Sequence, residues 1–264
     1  MRIFLTRRVI FAVTVLICVL SFGAVNDTSA QKRRSVFQSG EELVYKVKFG
    51  FIKLGTLVIQ TGSPTSQFGP NQLTARMQFW TADVPFLDTK TQVIDVIDTH
   101  AVYLVRFEEH TRNGDKKTNK VFVYDHEKKT MTYSDDAVAS RVTNNVEPFS
   151  DALTLVFNMR TWSASGAAYG FPLRGMEGEK NVACRFTGKH SDEECPAFED
   201  QTIKTRIVEG QADMGNSAPL GANGHFTAYL TDDEAAVPVR IEMQIGIGSI
   251  SLILEKVKRA GWKP

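Results

Sequence analysis

Cysteine is scarce in this chain, with three among 264 residues. A disulfide-stapled mini-scaffold and a four-ligand zinc ribbon are both excluded by that count. One-sided charge is missing as well. Thirty-one basic residues face 30 acidic ones, so no large positive field marks a nucleic-acid partner. No apolar run is long enough to cross a bilayer. The longest, Val9 to Leu20, spans about 18 Å as a helix against a hydrocarbon core of about 30 Å. Catalytic signatures are missing too. There is no G-x-S-x-G elbow, no H-E-x-x-H pair, no EF-hand spacing and no phosphate loop. His100, His110, His126, His190 and His225 are dispersed, and none has metal-ligand spacing, so no metal and no cofactor is expected.

What is present begins with an export signal. Arg2, Arg7 and Arg8 precede the apolar stretch, and Thr28-Ser29-Ala30 is a small-x-small cleavage site. Residues 1–30 are therefore expected to be removed, with no transmembrane span remaining; a retained anchor helix, its apolar stretch extended weakly through Phe22 to Val25, is the alternative. Cys18 follows the bulky Ile17, which argues against lipidation there. Gln31 to Gln38 reads as a flexible leader, and 39–264 as one β domain. Cys184 and Cys195 remain, an even pair in an exported chain, and the polar stretch between them reads as a turn. A disulfide between them is the expectation, with two free thiols as the alternative.

The dominant hydrophobic period is two. Leu43, Tyr45, Val47 and Phe49 alternate with polar or outward residues. The same pattern recurs at 73–79, 89–98, 101–109, 119–125, 130–134, 201–209, 225–231, 237–245 and 249–257. Pro238 cannot donate to a ladder and is placed at a strand start or edge. One segment is helical instead. Leu153, Val156, Phe157 and Arg160 follow a 3.6 period, so a short helix is predicted over 150–162, capped by Ser150. The fold class is mainly β, an antiparallel curved sheet that forms either a half-barrel or a sandwich.

Three blocks in order resemble the domain-of-unknown-function 3108 family of exported bacterial proteins. The first is Gly40-Glu41-Glu42-Leu43-Val44-Tyr45 continuing to Gly50 and Gly55. The second is Asp151-Ala152-Leu153 through Asn158-Met159-Arg160, with Thr154 and Phe157 where Ser and Tyr are usual. The third is Leu230-Thr231-Asp232-Asp233, then Val237-Pro238-Val239 and Ile245-Gly246. The resemblance implies a periplasmic or outer-envelope location and a half-barrel akin to lipoprotein carriers. It implies no catalytic residues.

These readings converge on a non-enzymatic envelope protein that binds an apolar ligand or a lipid-bearing partner. In this reading the helix is a lid over the sheet, and Leu153, Val156, Phe157 and Arg160 line the ligand. Arg160 then meets an anionic head group or a strand carboxylate. A structural or interaction module with a filled core is the alternative, and a hydrolase the third. The oligomeric state is not readable from the sequence.

Overall fold

The computed structural model describes residues 35–264 apart from 68, 83–87, 137–138, 164–167, 176–177, 213–223 and 246–247. For 168–175 and 178–181 only the backbone is described. The expected signal segment, residues 1–30, lies outside the described residues. Eight strands step outward from the middle of one sheet: β1 (Glu42–Phe49), β2 (Ile52–Thr65), β3 (Gln72–Thr81), β4 (Thr89–Asp98), β5 (Tyr103–Asn113), β6 (Lys116–Asp125), β7 (Thr130–Asp135) and β8 (Arg141–Asn144). The helix α1 (Ala152–Trp162) follows. Six more strands then step back inward: β9 (Ala168–Gly175), β10 (Gly178–Cys195), β11 (Gln201–Ala212), β12 (Gly224–Thr231), β13 (Pro238–Ile245) and β14 (Gly248–Lys258).

All neighbours are antiparallel, and β14 pairs with β1, so the first and last strands meet in the centre of a 14-stranded sheet. β8 and β9 are the outer edges, with α1 as the connection between them. One continuous sheet rules out the two-sheet sandwich. At Gly210 a Cβ would lie 2.3 Å from the Phe226 ring, so that aromatic lies flat on the neighbouring strand only because glycine is there.

α1 sits on the inner face of this sheet, and its pattern of burial shows how the sheet must curl. Leu153 and Phe157 belong to one core cluster with Leu43, Tyr45, Ile59, Ile97 and Leu254. Leu155 and Met159, about 200° around the helix, belong to another with Val182, Val208, Ala228 and Leu230. A helix buried on opposite sides is flanked by sheet on both of them. The sheet wraps it, and α1 is part of the filling rather than a lid. Its N-cap is Asp151, whose Oδ1 accepts from the Thr154 amide at 2.8 Å. Ser150, expected in that role, instead accepts from Asn158 Nδ2 at 2.9 Å.

Two further expectations are corrected. The supposed flexible leader is anchored from Ser35 onward: Val36 and Phe37 are buried, and the Phe37 ring stacks on Phe157 with centroids 5.0 Å apart. Gln38 Nε2 also donates to the Ala260 carbonyl. Nor do Cys184 and Cys195 form a disulfide. Both lie on β10, Cys184 opposite Gly210 and Cys195 opposite Gln201, so their partners stand nine positions apart along β11. That is roughly 30 Å at strand rise, far beyond any S–S bridge. The polar residues between them are not a turn. They are the solvent-facing stretch of a long strand, bent by a bulge at 187–189 where Gly188 adopts φ +74°. Both thiols are free and buried, and burial pushes that of Cys184 up to about 11.

Candidate functional site

The four residues expected to line a ligand occupy very different environments. Leu153, Phe157 and Arg160 are fully buried, and Val156 is half-buried between the two clusters. Arg160 is not at a rim. Its Nη1 and Nη2 donate to both oxygens of Glu41, at 2.6 and 2.9 Å, and its Nε donates to the Ala235 carbonyl at 3.1 Å. A second guanidinium, Arg259, donates to the same Glu41 and to the Ser35 carbonyl.

One carboxylate cannot balance two buried cations. The second negative charge is Asp233, at the β12–β13 turn. It takes the Trp262 indole N–H at 2.6 Å, and its field favours the charged form of both arginines. Burial pulls the Arg160 pKa down, but Glu41 more than reverses that and holds it above the usual value. At Arg259 burial, reinforced by the Arg160 charge, prevails and lowers it. Beside them the buried Tyr45 hydroxyl donates to the Pro238 carbonyl at 2.9 Å. Glu41 and Tyr45 come from the first sequence block, Arg160 from the second, Asp233 and Pro238 from the third. The three blocks therefore meet at one charged knot that joins the segments flanking β1 and β14 to α1.

On another side α1 borders open space. Asn158 and Trp162 help to line a cleft of about 560 Å³ together with Asp98, His100, Ala101, Val102 and Tyr103 of the β4–β5 turn, His126, and Pro148 to Ser150. Its walls are mainly apolar and aromatic, with a few polar groups, the usual make-up of a small-molecule site. Asp98 shapes the turn: Oδ1 accepts the amides of His100 and Ala101 at 2.8 and 2.7 Å. Val102 then adopts φ +56°, a left-handed conformation that is unfavourable for a β-branched residue. Its N–H donates to the Asp98 carbonyl, and its own carbonyl accepts from Asn158 Nδ2 at 2.9 Å. The helix thus clamps a strained residue in the cleft wall. Strain of this kind collects at binding and switch sites.

At the side of the cleft the Tyr103 ring stacks on His126, with centroids 5.1 Å apart. Burial, with smaller contributions from Asp98 and Tyr124, pushes the Tyr103 hydroxyl up to about 12, so it remains a hydrogen-bond donor at neutral pH. No group of three metal-ligating side chains gathers among the described residues. His100 and His126, dispersed in the sequence, are brought to one cleft by neighbouring turns. Period-two reading had no means to pair them.

Below the start of α1 lies a buried acid. Asp95, on β4, is fully buried; one oxygen accepts from the Thr154 hydroxyl at 3.2 Å and the other, Oδ1, has no partner. Burial and then the neighbouring Asp151 carboxylate raise its pKa well above the ordinary carboxylate range. Burial therefore favours the protonated form of Asp95 in the folded protein. Stability from this group is complete below the unfolded pKa of about 3.9 and is lost as pH rises through the higher folded value. Asp95→Asn, which removes the ionisable group at nearly constant shape, is expected to stabilise the protein at neutral pH and flatten this loss. Urea midpoints for both proteins at about pH 4 and about pH 8 provide the check.

The model of the family described as "Protein of unknown function (DUF3108)" matches residues 44–255. The chain belongs to the DUF3108 family. That match covers β1 through most of β14, and the charged knot is the place where the motifs of this DUF3108 chain come together. Among solved structures, the β-barrel-like protein of family DUF1849 from Brucella abortus superposes with a TM-score of 0.60. It shares 12% identity, over 84% of this chain and 98% of that one. The likeness is one of fold: a long antiparallel sheet curled toward a barrel. A YmcC-like protein from Bacteroides fragilis has a TM-score of 0.40 at 13% identity over 84% and 97% of the two chains, too distant to support an argument. No curated protein matches in sequence. Among the described residues no helix is long and apolar enough to cross a membrane.

Proposed function

We propose that this DUF3108 chain is an exported, non-enzymatic binding protein of the cell envelope that takes a small apolar ligand into the cleft beside α1. The observation that carries the reading is the strained Val102 turn, held by Asn158 in the wall of an aromatic cleft of about 560 Å³. Tyr103, His100 and His126 supply polar contacts for one end of the ligand, and Phe149 and Trp162 supply apolar wall. This moves the ligand from the face of α1 bearing Leu153 and Phe157 to the face bearing Asn158 and Trp162. A second reading, a packed structural module of the envelope, is favoured by the complete burial of Leu153, Phe157 and Arg160.

Titration with a fluorescent fatty-acyl probe tests the cleft. Ala101 is exposed at its lip, so Ala101→Trp fills the space without removing packing. Wild type is expected to bind one probe per chain, and Ala101→Trp to bind at least about tenfold more weakly. Equal binding by both proteins would place the ligand elsewhere.

A further inference from the structure

The opposite end of the sheet, where the β1–β2, β3–β4 and β5–β6 connections lie, carries features that folding does not explain. Phe51, at the tip of the β1–β2 hairpin, is 91% exposed, and Ile52 beside it is 45% exposed. One rung behind them Lys48 and Lys53 stand directly opposite each other. Like charges in that position destabilise a sheet, and neither lysine has an ion-pair partner among the described residues.

On the outer face, Trp80 is 38% exposed and opposes Lys90, which opposes Arg112, which opposes Lys117. The described acids in these turns are Asp88, which pairs with Arg112 at 3.1 Å, and Asp115. Cations therefore prevail at this end, and an apolar point projects beyond them.

We propose that this end of the sheet docks on an anionic lipid surface, with Phe51 and Ile52 entering the acyl boundary and the lysines facing the headgroups. The depth order supports lipid over protein as the partner. The apolar tip leads, and Lys48 and Lys53 follow about 3.3 Å behind, the order in which acyl chains and phosphates are met. Lys90, Arg112 and Lys117 extend the contact across three strands, as clustered basic residues do at anionic leaflets. The inference goes beyond the cleft and does not depend on it, since the cleft lies at the other end of the strands.

The test is co-sedimentation of the purified chain with phosphatidylglycerol-containing vesicles and with pure phosphatidylcholine vesicles. Wild type is expected to bind the anionic vesicles and to release them as salt rises from about 0.1 to about 0.5 M. Phe51→Ser/Ile52→Ser and Lys48→Glu/Lys53→Glu are each expected to weaken binding at least about tenfold while leaving the melting temperature unchanged, because these side chains pack little. Binding that ignores lipid charge, or that survives Phe51→Ser/Ile52→Ser, overturns the proposal. So does the absence of binding to any vesicle, which would leave the tip to an acidic protein. The Ala101→Trp variant is expected to bind vesicles normally, so a failure here and a failure of the cleft are told apart.

Discussion

Glu41→Gln is expected to destabilise the protein by about 3–5 kcal/mol, read as a lower urea midpoint at unchanged m-value. The substitution is nearly isosteric, so no cavity accounts for the loss. It removes the carboxylate that Arg160 grips with two bonds and Arg259 with a third, and leaves two guanidinium groups buried side by side. Asp233 alone then faces both charges. Arg160→Met is expected to cost less than Glu41→Gln, because Glu41 keeps Arg259 and the methionine restores apolar volume. The asymmetry distinguishes a shared carboxylate from a simple pair, and a double-mutant cycle of Glu41→Gln with Arg160→Met measures the coupling directly. Equal losses in the two single variants would mean that Arg259 contributes nothing to the knot.

The second large effect belongs to Phe157→Ala, also expected to cost about 3–5 kcal/mol. A lid residue over a vacant interior would lose distinctly less than a core residue. Phe157 is completely buried, stacks on Phe37, and has the Arg160 guanidinium 5.7 Å from its ring centroid. Truncation therefore opens a cavity in the first core cluster and removes an aromatic pair worth about 0.5–1.5 kcal/mol beyond its area. Phe37→Ala is expected to show a smaller loss, since Phe37 is 9% exposed whereas Phe157 is completely buried. A loss well under 2 kcal/mol for Phe157→Ala would restore the lid.

Most strands were legible because they show their period to one side of the sheet. The 89–98 strand is observed at those limits, and Pro238 begins β13 as its missing N–H requires. β10 was missed because a bulge at 187–189 reverses its in-out alternation midway, and because its second half exposes Asp192 and Glu194 in a run that resembles a loop. β9 was missed in a Gly- and Ala-rich stretch. The helix was legible in position and apolar stripe, but not in role. A stripe at 153, 156 and 157 says that one side is buried, whereas the burial of Leu155 and Met159 depends on strands that arrive later in the chain.

The knot was half visible. Glu41 and Arg160 each stood in a block that resembled the family, yet they are 119 residues apart, and Arg259 lies 218 residues from Glu41. No local period can pair residues at such separations. The cleft was less visible still, because turn geometry, rather than pattern, brings His100, Tyr103 and His126 together. The disulfide expectation failed for a related reason. Counting cysteines in an exported chain describes the compartment, while the distance between them is set by a strand that pattern reading had not found.

The central claim is that the space beside α1, and not the core that α1 fills, takes an apolar ligand. The acyl-probe titration tests it most directly when wild type, Ala101→Trp and Phe157→Ala are run together at a temperature where all three are folded. The account predicts saturable binding by wild type, binding largely retained by Phe157→Ala despite its lost stability, and binding at least about tenfold weaker in Ala101→Trp. A large stability loss in Phe157→Ala with no probe bound by any of the three proteins would contradict it and leave a packed structural module.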